Sequence, residues 1–299
     1  MKTVNKLIVK TVELMPKSLV RVFSNRYIAG DSLKDGVAFV QKLNSQNILA
    51  TMDVLGEAIT THEEAIQAKS ECIEVIDAIE KYQLLANVSI KPSQMGILLD
   101  EEFCFKQVSE IVEKAAANKN FVRLDMEDST TTDRIINLHN RLKEHHKNVG
   151  VVVQACLRRT LDDVKVLNAT GTNYRLCKGI YIEPEKIAYR GKQEIRDNYL
   201  AILREMLTNG NYVGIATHDD YLLQNALKMI EELGISKDKY EFQMLLGVKE
   251  DLRDKINKQG HKVRIYVPFG EHWYQYSIRR LQENPQVAWD IFKNLFSLS

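Results

Sequence analysis

Eight times along this chain a short run rich in Val, Ile, Tyr and Phe gives way to a longer stretch of helical period, and that alternation limits the folds open to it. "ILATMDVLG" near residue 48 comes first. It is followed by "THEEAIQAKSECIEVIDAIEKY", where Thr61 is placed to cap a helix and Glu63 and Glu64 suit the positive end of its dipole. Strand-like runs recur as "NVSIKP" from Asn87, "FVRLDME" from Phe121, "VGVVVQA" from Val149, "YRLCKGIY" from Tyr174, "YVGIATH" from Tyr212, "YEFQMLLG" from Tyr240 and "KVRIYVPFG" from Lys262. Continuous apolar strands alternating with helices imply a parallel sheet covered on its outside. Eight such units over about 250 residues fit an α/β fold of the closed (β/α)8 barrel type better than an open doubly wound sheet. Residues 1–46 then form a helical N-terminal extension packed on the barrel, and residues 47–299 form the barrel, with no linker or low-complexity stretch between units.

Composition removes several classes of function. The 41 basic and 40 acidic side chains nearly cancel, so no overall field draws the chain to nucleic acid. No apolar run approaches the roughly 20 residues that cross a bilayer. Cys72, Cys104, Cys156 and Cys177 are far apart and lack C-x-x-C spacing, which predicts reduced thiols in a cytoplasmic setting and no structural zinc. The opening "MKTVNKLIVKTVELMPKSLVRVF" is basic, but it lacks the Ser and Arg enrichment of a transit peptide and the small-residue cleavage site of a secretory signal. It is expected to pack on the body as a helix, with an interfacial membrane anchor as the alternative.

In a barrel of this kind the chemistry sits where the strands end. Lys91, Asp125, Gln154, Lys178 with Tyr181, Thr217 with His218, Gln243 and Tyr266 stand at or near the ends of all strands but the first. Each would need a partner if buried, so core packing alone does not explain them. Singly, each has a plainer use: Asp125 in "DMED" could cap the next helix, Lys91 before Pro92 could be solvated, and His218 before Asp219 and Asp220 could lie on the surface. No His, Asp or Glu grouping has metal-ligand spacing, and no metal is expected. Near the C-terminus "YSIRRLQENP" sets Arg279 beside Arg280 in a helix that opens directly after the eighth strand. Its first turns would hang over the barrel mouth, where two guanidiniums suit a planar carboxylate and Lys91 would complete a cationic pocket. The alternative is an ordinary surface, with Arg279 paired to Glu283 four residues on.

Taken in order, "VSIKP", "VRLDMED", "VVQA", "RLCKGIY", "ATHD", "YEFQMLLGV", "YVPFGEHWY" and "YSIRRLQEN" resemble the monofunctional bacterial proline dehydrogenases, from about residue 20 to the end. The pair of motifs "RLxKGxY" and "YxxRRxxEN" is the specific part. The resemblance implies a distorted (β/α)8 barrel that holds FAD non-covalently, oxidises L-proline to 1-pyrroline-5-carboxylate by hydride transfer to flavin N5, and carries its last helix over the mouth. It also implies that Arg279, Arg280 and Lys91 bind the substrate carboxylate while Leu245, Tyr266 and Tyr276 wall the ring. Asp125 corresponds to the acid near the substrate and Arg175 to the arginine at the flavin N5 region. The cofactor positions are Met126, Gln154, Arg175, Lys178, Gly179, Ile180, Thr217, His218, Gln243 and Glu283. A barrel flavoprotein needs no G-x-G-x-x-G, and none is present. A membrane quinone is the implied electron acceptor, which would bring a cytoplasmic protein to the inner face of the membrane, and a homo-oligomer is left open. Three positions depart from the family's usual pattern: Ile180 stands for an alanine, Ile182 for an aromatic, and Asp219 for the asparagine of the bifunctional branch.

Two other functions are compatible with the residues alone. A lyase or aldolase on the same barrel could use Lys178 as a Schiff-base nucleophile. A noncatalytic flavin- or proline-binding scaffold is the second.

Overall fold

A computed structural model describes residues 17–56 and 59–283, with the side chains of residues 18, 19, 22, 23 and 279–283 outside that description. Eight parallel strands among the described residues close into a barrel in chain order: β1 (Leu49–Val54), β2 (Ala86–Ile90), β3 (Val122–Leu124), β4 (Val149–Gln154), β5 (Tyr174–Cys177), β6 (Val213–Ala216), β7 (Tyr240–Leu245) and β8 (Val263–Phe269). Each pairs with the next, and β8 returns to β1 with Tyr266 beside Thr51. All eight strand-like runs of the sequence lie on strands.

One expectation about the strands is corrected. They are not continuously apolar. Outward positions such as Met52, Val88, Leu124, Val151, Leu176, Ile215, Phe242 and Ile265 join the hydrophobic core under the helices. The alternate positions carry Thr51, Asp53, Asn87, Ser89, Arg123, Arg175, Glu241, Gln243, Arg264 and Tyr266, whose side chains meet across the barrel interior. A period of two with apolar residues out and polar residues in is the pattern of a barrel that uses its interior for something other than packing.

Helices follow each strand: α3 (His62–Lys81), α4 (Glu101–Ala117), α5 (Thr132–Lys143), α6 (Thr160–Leu167), α7 (Lys192–Thr208), α8 (Asp220–Glu232), α9 (Glu250–Lys258) and α10 (Trp273–Glu283), after α1 (Lys17–Ser24) and α2 (Leu33–Asn44). The start of α3 is fixed by a capping box: Thr61 Oγ1 accepts the Glu64 amide at 3.2 Å and Glu64 returns to the Thr61 amide at 3.1 Å. On α4 the buried residues Cys104, Val108, Ile111, Val112 and Ala115 recur at helical spacing and form one apolar stripe. Replacing fully buried Ile111 by Ala should cost about 2–5 kcal/mol through the cavity it leaves. No helix among the described residues is long and apolar enough to cross a membrane.

The N-terminal helices position the site. Gly36 brings α2 close to Phe269 and Met52, where a Cβ would lie 3.0 Å from the Phe269 ring, so α2 packs over β8 and β1. Helix α1 packs on α10. Ser24 and Ser277 share a buried 2.6 Å hydrogen bond, and the Arg21 guanidinium lies 4.7 Å from the Trp273 ring centroid. That contact holds α10 beside the open end of the barrel, where Tyr276 and Tyr27 both reach the cavity described next. Residues 1–16, which carry most of the basic opening, lie outside the described residues.

Candidate active site

At the C-terminal ends of the strands lies a cavity of about 460 Å³, within the usual size of a small-molecule or cofactor site. The strand-end residues singled out in the sequence converge on it. Lys91, Asp125 and Arg175 stand on one side with Tyr266, Tyr276 and Leu245, while Met126, Gln154 and the Lys178–Ile180 segment stand with Thr217, His218 and Gln243. They come from seven strands and one helix. Spacing along the chain says nothing of this convergence, and only closure of the barrel produces it.

Arg175 is the hub. Its guanidinium is nearly buried, and its donors are satisfied by residues from four other strands or strand ends: Nε to Gln243 Oε1 at 2.6 Å, Nη1 to Asp125 Oδ1 at 2.8 Å and Ser89 Oγ at 3.1 Å, and Nη2 to Thr51 Oγ1 at 3.3 Å. Asp125 also accepts from Ser89 Oγ at 2.7 Å and, on its other oxygen, from the Tyr266 hydroxyl at 2.9 Å. The Arg175 guanidinium lies 5.2 Å from the Tyr266 ring centroid. Burial pushes the Tyr266 phenol well above its ordinary value, and Asp125 and Asp53 add to the effect, so the hydroxyl remains a donor.

Lys91 sits beside this hub, 2.6 Å from Asp53 Oδ1 and 4.0 Å from Asp125 Oδ2. Burial pulls its ammonium toward neutrality, but Asp53 and Asp125 outweigh that and raise its pKa overall. Asp53 is deeply buried, and its carboxyl is pushed up by burial despite Lys91; its Oδ2 is buried without a hydrogen-bond partner. The sequence reading passed over Asp53. The signal was there, since it alternates with Met52 and Val54 at the end of the one strand not assigned a polar residue.

The opposite wall is set by backbone. Gly179 follows β5 with φ of +97°, and a Cβ there would fall 2.3 Å from Cys156 Sγ and 2.9 Å from Gln154 Oε1, so only glycine fits. Gln154 is held by its amide donating to the Glu127 carbonyl at 2.7 Å. Glu127, also missed from sequence, accepts the Ser93 amide at 2.8 Å and its hydroxyl at 2.5 Å. His218 Nε2 accepts the Leu245 amide at 2.9 Å, which leaves a ring proton for Nδ1. Asp219 caps α8 through the Tyr221 amide and grips Arg196 at 2.7 and 3.0 Å, with Lys178 at 3.4 Å. The Arg196 hydrogen bonds hold its carboxyl down at about 2. Lys178 is therefore engaged in an ion pair at the rim. Ile182 is 90% exposed and points away from the cavity wall that its neighbour Ile180 joins. Arg279, Arg280 and Glu283 lie on α10, and their side chains are outside the described residues.

The site can hold a flat ring system. Met126, Val152, Ala216 and Met244 give it apolar faces, Lys178 and Arg175 bring positive charge to its edge, and Ala216 on the β6 side is small. Beyond the fold and the cavity, the family model for proline dehydrogenase matches residues 37–290, most of the chain. The chain belongs to the proline dehydrogenase family. Proline dehydrogenase 2 of Bacillus subtilis (strain 168) is 34% identical over 275 residues, which covers 92% of this chain and 91% of that protein. The proline dehydrogenase of Deinococcus radiodurans is 33% identical over 282 residues, 93% of this chain and 91% of the relative. Among solved structures, proline utilization A (PutA) from Bdellovibrio bacteriovorus, inactivated by N-propargylglycine, superposes with a TM-score of 0.81 at 25% identity over 87% of this chain. This chain spans 32% of that one.

Proposed function

We propose that the barrel mouth binds FAD and L-proline together and oxidises proline to 1-pyrroline-5-carboxylate. One observation carries the reading: every described side chain that the family resemblance marks for cofactor or substrate lines the same cavity, around Arg175. FAD, when bound, supplies a two-electron acceptor. Gln154, Lys178, Gly179, Thr217, His218 and Gln243 would hold it, with Met126 and Ile180 against its flat faces.

The residues of the chain do the positioning. Lys91, kept cationic by Asp53 and Asp125, provides a fixed charge for the substrate carboxylate, and Arg279 and Arg280 would close on the same group from α10. Contacts of this type contribute about 1.5–3 kcal/mol each, remote from the bond that breaks. Tyr266, Leu245 and Tyr276 line the cavity and would surround the ring and exclude water. The ring carbon beside nitrogen gives up hydride only when that nitrogen has lost its ammonium proton to solvent, and the lone pair so freed forms the C=N bond as the hydride leaves. Asp125 organises this geometry: its two oxygens are engaged by Ser89, Arg175 and Tyr266, which fixes it as an orienting anchor. Arg175 would supply positive charge to offset the negative charge that develops on reduction. Electrons would pass on to a membrane quinone.

The test is spectral. The purified protein, supplemented with FAD, should be yellow, and anaerobic L-proline should bleach the flavin band. A colourless protein that borohydride traps with a carbonyl substrate would replace this function with a Schiff-base lyase, and colour without bleaching would leave a scaffold.

A further inference from the structure

Below Arg175, toward the beginnings of the strands, lies a second polar tier to which the reaction assigns nothing. Glu241 of β7 is buried at its centre. Its Oε1 accepts Gln243 Nε2 at 2.5 Å and Arg264 Nε at 2.7 Å, and its Oε2 accepts the Tyr212 hydroxyl at 2.9 Å. Burial alone would raise this carboxyl, but Arg264 and the hydrogen bonds from Gln243 and Tyr212 outweigh it and hold it below its usual value. Glu241 is thus an acceptor only.

That polarity passes upward. A glutamine amide has a donor side and an acceptor side, and an ionised carboxylate below can face only the donors. Gln243 must therefore turn its NH2 down to Glu241 and its carbonyl oxygen up, where Arg175 Nε donates to it at 2.6 Å. A second arm behaves alike. Arg264 Nη1 donates to Asn87 Oδ1 at 2.9 Å, and the Thr51 hydroxyl donates to the same oxygen at 2.7 Å, leaving the Thr51 lone pairs toward Arg175 Nη2 at 3.3 Å. Because the guanidinium is a rigid plane, fixing Nε–H fixes the directions of its other donors.

We propose that Glu241 is a positioning residue for the mouth: by fixing which way the Gln243 amide points, it aims the Arg175 guanidinium at Asp125 and at the space above it. Without the carboxylate at 241 only the Arg175 Nε–H selects the amide's orientation, and a Gln243 side chain no longer gripped from below lets the guanidinium drift off the 2.8 Å contact with Asp125. The consequence for catalysis rests on the role of Arg175 in the proposed proline oxidation; the hydrogen-bond relay does not.

The experiment compares Glu241→Gln, Gln243→Met and the double variant in the full flavin-loaded chain. Glu241→Gln should lower kcat for L-proline by about 10- to 100-fold with KM changed less than about threefold, and shift the flavin midpoint potential negative as the cation is misaimed. In the Gln243→Met background, the same substitution should add less than about a twofold loss, because the link is already cut. The Arg175 Nε–H resonance, read without proline, should be hydrogen-bonded in the wild type and displaced in Glu241→Gln. A Glu241→Gln protein that melts earlier yet keeps kcat, potential and the Nε–H resonance would overturn the proposal, as would equal losses in both backgrounds. If Glu241→Gln does not fold, Gln243→Met alone must reproduce the kcat loss and the resonance shift, and its failure to do so overturns the relay. A displaced resonance in a protein whose wild type is not reduced by proline would keep the relay and discard the reaction.

Discussion

The two polar tiers inside the barrel are built from the same kinds of residue. The lower one holds Arg123, Arg264, Glu241 and Tyr212; the upper one holds Arg175, Lys91, Asp53, Asp125 and Tyr266. They differ in what they face. In the lower tier the groups turn to one another and to backbone carbonyls: Arg264 meets Glu241, Asn87 and the Ala50 carbonyl, and Arg123 meets Asn173 and the Val151 carbonyl through its terminal nitrogens while its Nε is buried without a partner. In the upper tier Lys91, Asp125, Arg175 and Tyr266 keep one side toward a 460 Å³ cavity. Buried charge therefore does not by itself mark an active site. Charge held rigid on one side and open on the other is what the proposed site has and the lower tier lacks.

The largest expected effect tests the open tier. Arg175→Met should lower kcat/KM for proline about 10²- to 10³-fold, the loss typical of a removed electrostatic donor, while flavin still binds; steady-state kinetics with flavin content measured alongside reads it. Next come Arg279→Met and Arg280→Met. Each should raise KM for proline about 10- to 100-fold with little change in flavin content, from the loss of a charge-assisted contact, and unchanged KM in both would remove the carboxylate role.

The sealed tier should answer differently. Arg123→Met removes the donors to the Asn173 carbonyl, which keeps the Val151 amide at 3.1 Å, and to the Asn173 side-chain oxygen, and should cost about 1–3 kcal/mol in denaturant unfolding, with kcat within about twofold of wild type. A large kcat loss there would erase the distinction between the tiers. The smallest effect belongs to the rim. Asp219→Asn keeps the cap on α8 but removes the charge facing Arg196 and Lys178, and should cost about 1 kcal/mol or less. Its folded-state pKa of about 2 lies below the unfolded 3.8, so the stability from this group is present above 3.8 and lost as pH falls through about 2. Thermal melts of wild type and Asp219→Asn should therefore differ by a constant amount between pH 5 and 8 and converge only in strong acid.

Eight alternations of strand-like and helical runs made the barrel readable, and polar residues at the strand ends made Lys91, Asp125 and Tyr266 of the open tier readable; Arg175 came only with the family resemblance, and Asp53 did not come at all. The cap at Thr61 was equally plain, because a capping box is local. The sealed tier was missed because the strands were matched to a continuous apolar template. "TMDV", "NVSIK", "YRLCK", "YEFQML" and "VRIYV", compared with a period of two, put Asn87, Glu241 and Arg264 on the same inner face as Asp53, Arg175 and Tyr266. The clamp of α1 on α10 had no local trace at all, since Ser24 and Ser277 are 253 residues apart. Likewise, the Gln243 amide direction depends on a partner two residues away on one strand and another on β5, which periodicity does not encode.

The most direct test of the open tier as the substrate site is a crystal structure of the flavin-loaded protein with a five-membered ring carboxylate bound. The carboxylate should lie within about 2.7–3.0 Å of Lys91 Nζ and of both the Arg279 and Arg280 guanidiniums, with the ring against Tyr266 and Leu245. Arginines turned to solvent, with the carboxylate held elsewhere in the cavity, would contradict it.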